Sequence, residues 1–150
     1  MKGPSFRFRL ERVRDLRERR EDEAKMELAA ALADHFRAEE LVQAAEQRID
    51  QARLAQLDAA CSQRSAVDLL AHQVYLERTE SDHRASREDL GQRETVVNDR
   101  RDALTDAARD RQALERLKER RQAEHQREAA RVEALALDEI AINGFRRKAA

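Results

Sequence analysis

Apolar residues in this chain recur at three- and four-residue steps, with no long runs and no strict alternation. From Leu10 the series passes through Val13, Leu16, Ala24, Leu28, Leu32, Val42, Ala45, Ile49 and Ala52. Such spacing lines one face of a helix. Further on, Leu90, Val97 and Leu104 repeat every seven residues, joined by Ala107, Leu114 and Leu117. A heptad of this kind is the seam of a coiled coil. The pattern predicts a first helix over 8–60 and a longer second helix over 66–142. Between them Cys61-Ser62-Gln63-Arg64-Ser65 is a small, polar turn at 61–65. Ser65 is placed to N-cap the second helix, with Asp68 in its first turn.

Two helices joined by so short a link run antiparallel. The expected fold is therefore all-α, a single antiparallel two-helix coiled-coil hairpin whose second helix is longer than the first. Pairing about the turn sets residue i opposite roughly 127 − i, which places Leu10 by Leu117, Val13 by Leu114 and Ala31 near Val97. At 1.5 Å per residue the second helix outruns the first by roughly 36 Å. The unpaired stretch begins near Lys118, is at first almost free of apolar residues, and then carries Val132, Leu135, Leu137, Ile140 and Ile142. Asn143-Gly144 is the expected C-cap. Residues 1–7 would form a flexible lead and 143–150 a basic tail.

Composition narrows the function. Charged residues make up 41% of the chain and aromatic residues 3%, so a thin seam rather than a wide core is what it can bury. The residues that dominate are good helix formers, with only three glycines and one proline to interrupt them. High charge also raises disorder as an alternative, but the signs are mixed, the formal net charge is −1 and the apolar positions keep helical spacing. No apolar run approaches the ~20 residues of a membrane span. No apolar stretch of a secretory signal follows the N-terminal basic residues, so a cytosolic location is expected. The single cysteine, Cys61, is read as a free thiol, with a disulfide between two copies as the alternative.

Charge is sorted along the chain. Met1 to Arg20 carries eight basic and three acidic residues, and Arg111 to Arg131 seven and four; between Asp34 and Asp89 there are twelve acidic and seven basic. An antiparallel fold makes the open end basic and the turn half acidic. That asymmetry suits a protein with different partners at its two ends.

Catalysis finds no support: a two-helix rod offers no concave site, and there is no phosphate loop, nucleophile elbow or zinc-binding helix motif. The carboxylates read as solvated faces and partners of arginines. His72 and His83 are too far apart to hold one metal, and His35 reads as an ordinary seam residue. No metal or cofactor is expected. The pairs Arg19-Arg20, Arg100-Arg101, Arg120-Arg121 and Arg146-Arg147 could meet phosphates, but interleaved acids and scarce aromatics argue against nucleic acid. A helical adaptor that docks into protein partners, with Leu135 to Ile142 as a helix-in-groove anchor, fits better.

Three stretches also carry a resemblance. Phe6-Arg7-Phe8-Arg9-Leu10-Glu11-Arg12-Val13, then Leu16-Arg17, Glu21 and Glu23-Ala24, is similar to the N-terminal pattern of the FliJ family. Leu114-Glu115-Arg116-Leu117-Lys118-Glu119-Arg120-Arg121 and Leu137-Asp138-Glu139-Ile140-Ala141 resemble its C-terminal stretches. The likeness spans the chain and matches the family's length. It implies a coiled-coil component of the flagellar type III export apparatus, cytoplasmic and peripheral at the membrane at the flagellar base. It further implies a stalk whose joined ends enter the hexameric export ATPase and which contacts the export gate's cytoplasmic domain and export chaperones. On that implication Arg7, Arg9, Arg12, Lys118, Arg120, Arg121, Leu135 and Ile140 face the ATPase ring, and Phe36, Leu41, Tyr75 and Leu76 face the gate. The equivalent injectisome stalk shares this architecture, and a homodimeric coiled coil is the alternative from a different class.

Overall fold

The computed structural model describes residues 6–62 and 64–149, and within them there are two helices and no strand. Helix α1 spans Glu11–Cys61 and helix α2 spans Ala66–Ala149. They pair as an antiparallel hairpin, the partner's number falling as the residue number rises: Glu11 meets Lys118, Asp34 meets Arg93 and Gln56 meets Gln73. The second helix is the longer, at 84 residues against 51.

Local chemistry sets the helix ends at the turn. The Cys61 end is closed by Ser62 N–H donating to Asp58 C=O (2.9 Å) and Arg64 N–H reaching back to Ala59 C=O (3.4 Å). At the start of α2 the Ser65 hydroxyl oxygen accepts from Asp68 N–H (3.2 Å), and the hydroxyl donates to the Asp68 carboxylate (2.8 Å). This is the expected N-cap, with an acid against the positive end of the helix dipole. Helix α1 starts at Glu11 rather than residue 8, with Leu10 C=O accepting its first bond from Arg14 N–H (2.9 Å).

The far end of α2 corrects the expectation. The helix does not stop at 142 but runs through Asn143-Gly144 to Ala149. Gly144 does not take the left-handed backbone that a glycine cap requires. A glycine inside a helix costs only about 1 kcal/mol relative to alanine, and no proline follows to enforce a stop. Arg146 and Arg147 sit favourably near the negative end of the dipole. The expected lead lies partly outside the described residues, which exclude 1–5, as does residue 150 of the expected tail.

Burial follows a strict heptad on both helices. On α2 it falls on Leu69, Leu76, His83, Leu90, Val97, Leu104, Arg111, Lys118 and His125, each buried or half-buried. On α1 the buried line is Ala38, Val42, Ala45, Ile49, Ala52 and Ala59. Projected back by sevens it reaches Ala31, Leu28, Ala24, Glu21, Arg17 and Arg14, all buried or half-buried. Leu10, Val13 and Leu16 were expected on this seam and are instead exposed. Leu10 stands on the heptad, seven before Arg17, but lies ahead of α1, whereas Val13 and Leu16 are off its phase; Leu117 and Leu114, expected opposite Leu10 and Val13, are half-buried.

Contacts divide the chain into two units, one holding the chain up to Glu21 and from Asp106 onward, the other Asp22–Thr105. The second unit contains every fully buried apolar side chain among the described residues: the six on α1 and Val97 on α2. Four of the seven are alanines, which permit close helix approach while each burying little area.

Two substitutions test this reading by denaturation. Ile49→Ala should cost about 2–4 kcal/mol, by lost burial plus the cavity left behind. Gly91→Ala should gain about 0.5–1 kcal/mol, because Gly91 lies inside α2 and an added Cβ meets nothing within 4 Å.

Candidate functional site

In the unit that holds the chain ends, the non-helical residues just before α1 continue alongside α2. The Phe6 ring lies against the His125 ring, with centroids 5.7 Å apart and planes tilted by 59°. Phe6, Phe8 and His125 are half-buried. The Lys118 ammonium donates to the Glu11 carboxylate at 3.0 Å. Together these contacts shape a shallow hollow of about 820 Å³ lined by Phe6, Arg7, Phe8, Arg9, Glu11, Arg12 and Lys118. Four cations face one carboxylate there, on a floor of two aromatic rings. Such a surface attracts an acidic protein partner.

Four residues expected at the ATPase ring, Arg7, Arg9, Arg12 and Lys118, are thus brought together. The arginines are exposed and Lys118 is half-buried on the seam. The other four lie along α2 outside the hollow. Arg120 is exposed, and Arg121 pairs with Glu124 at 3.1 Å. Leu135 and Ile140 are 57% and 68% exposed.

Their surroundings are informative. Past His125, α2 has no neighbour among the described residues: every residue from Gln126 to Arg147 is exposed, a length of about 33 Å at 1.5 Å per residue. Val132, Leu135, Leu137, Ile140, Ile142 and Phe145 all stand in this segment. At 100° per residue they do not form a stripe. Val132, Leu135 and Ile142 fall within one third of the circumference, whereas Ile140, Leu137 and Phe145 are spread around the remainder. Charged residues such as Arg127, Glu133 and Asp138 stand between them, so the segment offers apolar contacts in several directions rather than along one face.

Charge also organises this unit. Arg17 donates to the Asp110 carboxylate at 2.6 Å, and Arg111 pairs with the buried Glu21. The Glu21 hydrogen bond and charge raise the Arg111 guanidinium further above its ordinary range. In the overhang, Arg131 donates to Glu128 at 2.8 Å, and its hydrogen bonds and positive charge hold the Glu128 carboxyl below the usual glutamate range.

In the other unit Phe36, Leu41 and Tyr75 are exposed. Leu76 was expected to be exposed but is half-buried, because it occupies the heptad seam with Leu69 and His83. The four do not form one patch. Phe36 stands edge-on to its neighbour His35, whereas Tyr75 lines a shallow groove with Ala52, Ala55, Ala71 and His72. Leu41 lies eleven positions before Ala52 on α1, about 16 Å along the axis. Beside the turn, Leu54, Leu57, Val67, Leu70 and Val74 are all exposed. These residues are not among those expected to face the gate, although Val67, Leu70 and Val74 keep helical spacing.

His83 pairs with Glu46 at 3.4 Å and His35 with Glu39 at 3.8 Å. Among the described residues no group of three or more His, Cys, Asp or Glu side chains could hold a metal ion, and no helix is long and apolar enough to cross a membrane. Cys61 is exposed at the end of α1.

Comparison with known proteins gives one match. The family model described as flagellar FliJ protein matches residues 6–150, nearly the whole chain. No curated protein and no solved structure matches.

The Glu128–Arg131 pair yields a pH test. Because the folded-state carboxyl is lowered, its contribution to the overhang is present above the unfolded glutamate value and is lost as pH falls through the folded one. Arg131→Ala should therefore move the Glu128 midpoint upward, toward ordinary glutamate, in a carboxyl-detected NMR titration. An unmoved midpoint would contradict the assigned cause.

Proposed function

The chain belongs to the FliJ family, a flagellar export-associated family, and from that premise we propose that it docks as a central stalk in the hexameric export ATPase. The single observation that carries this is the overhang of α2, exposed from Gln126 to Arg147, with large apolar residues spread around its circumference among charged ones. A flat docking surface would cover one stripe of such a helix and leave the rest in water. A ring lumen encloses it. The basic hollow of Arg7, Arg9, Arg12 and Lys118 then meets acidic groups at the ring, with Arg120 and Arg121 along the helix between hollow and anchor.

On this reading the protein is not an enzyme; its part is to occupy, orient and connect. The unit around the turn contacts the export gate's cytoplasmic domain through Phe36, Leu41 and Tyr75, with Leu76 contributing only its exposed edge. The exposed Leu54, Leu57, Leu70 and Val74 offer further apolar area to the same partner. Export chaperones are the third class of partner, and the location is the cytoplasmic face of the membrane at the flagellar base.

The test is a titration of the protein into a flagellar export ATPase from the same source, following hydrolysis rate and hexamer formation. The full chain should promote the hexamer, and a chain truncated after Arg131 should not. Leu135→Glu should weaken the complex about tenfold or more, since burying an unpaired carboxylate in an apolar contact costs more than the ~1.4 kcal/mol of a tenfold change. If the truncated chain promotes the hexamer as well as the full chain does, the overhang is not the anchor.

A further inference from the structure

The seam in the unit that holds the chain ends is built unlike the seam in Asp22–Thr105. In the latter, seven buried apolar side chains pack between the helices, and the cross-helix ion pairs Glu27–Arg100 (2.7 Å) and Asp34–Arg93 (3.8 Å) flank them. In the former the heptad places Arg14, Arg17 and Glu21 of α1 against Asp110, Arg111, Glu115 and Lys118 of α2. There Arg17 pairs with Asp110, Glu21 with Arg111, Arg14 with Glu115 at 3.9 Å, and Glu11 with Lys118 at 3.0 Å. Ala107, Leu114 and Leu117 are half-buried, and no apolar side chain among the described residues of this unit is fully buried.

Packing there is also incomplete. A hollow of about 200 Å³ opens on the seam, lined by Arg14, Glu18, Arg111 and Glu115, all charged. The Nε of Arg14 is buried without a hydrogen-bond partner. Desolvating charges offsets most of what their pairing contributes, so a charged seam holds two helices far more weakly than an apolar one of equal length. Its attraction is screened by salt, whereas apolar burial is not.

We propose that this end of the hairpin is an ionic clasp: α1 up to Glu21 separates from α2 at Asp106–Lys118 when charge is screened, while the helices stay zipped over Asp22–Thr105. The clasp is a property of the isolated chain and does not depend on ATPase docking. Opening it would release Arg14, Arg17 and Glu21 to groups supplied by a partner.

The experiment is electron paramagnetic distance measurement on the full chain with Cys61→Ser. One spin-label pair sits at Arg19→Cys and Gln112→Cys in the clasp unit, and a control pair at Gln43→Cys and Arg87→Cys in the other; all four positions are exposed. Salt is raised from about 0.1 M to about 1 M, which shortens the Debye length from about 10 Å to about 3 Å. The clasp pair should gain a population longer by at least one helix diameter, about 10 Å, and the control pair should not move. Glu21→Leu combined with Arg111→Leu, which turns the most buried pair apolar, should keep the clasp pair short at high salt. A clasp distance unmoved by salt overturns the proposal, as does equal lengthening of both pairs or salt-driven opening that persists in the double substitution.

Discussion

The seven-residue repeat fixes a single line of contact along each helix, and everything else follows from which residues happen to stand on it. Between Ala38 and Ala59 that line is occupied by small and branched apolar residues, and the hairpin there has a dry seam. Between Arg14 and Glu21 the same line is occupied by charge, and the helices are joined by guanidinium–carboxylate pairs. Geometry is constant while chemistry changes. Because alanine supplies much of the apolar seam and each alanine methyl contributes only on the order of 1 kcal/mol, stability accumulates with length rather than residing in any one layer.

Most of the architecture was legible because helical hairpins write themselves as periodicity. The turn, its Ser65 cap, the antiparallel pairing and the heptad through Leu90, Val97 and Leu104 all follow from spacing, and the structure contains each. The clearest departure comes where apolar residues leave the seam. Val13 and Leu16 stand off the heptad phase set by Ala38 to Ala59, which passes instead through Leu10, Arg14, Arg17 and Glu21. Leu76 was misjudged as exposed, although it lies seven residues from Leu69 and His83. Asn143-Gly144 misled differently: the dipeptide permits a helix to end but does not compel it. At the candidate site, the gathering of Arg7, Arg9 and Arg12 beside Lys118 follows from antiparallel pairing. The contact of Phe6 with His125 continues the same pairing, but the non-helical backbone that carries Phe6 has no signature in the periodicity.

Function is expressed in what the two units leave uncovered. Among the described residues the hollows of both units lie open on the surface of the helices. What the units present are a basic hollow lined in part by Phe6 and Phe8, a length of exposed helix with large apolar residues on every side among its charges, and, around the turn, apolar residues facing water. These are incomplete surfaces, and membership of a flagellar export family supplies a setting in which they would be completed by other proteins.

The passage of α2 from paired to unpaired at His125 also has a mechanical meaning. Two helices side by side resist bending far more than one, because flexural stiffness grows with the distance of material from the neutral axis. Before His125 α2 is braced by α1 and by Phe6; after it, a single helix continues without interruption to Ala149. Any sideways load on the distal segment is therefore relieved at Gln126 and the few residues beyond, whereas twist applied there passes through an unbroken hydrogen-bonded ladder into the braced part. The molecule combines a compliant joint in bending with a continuous shaft in torsion.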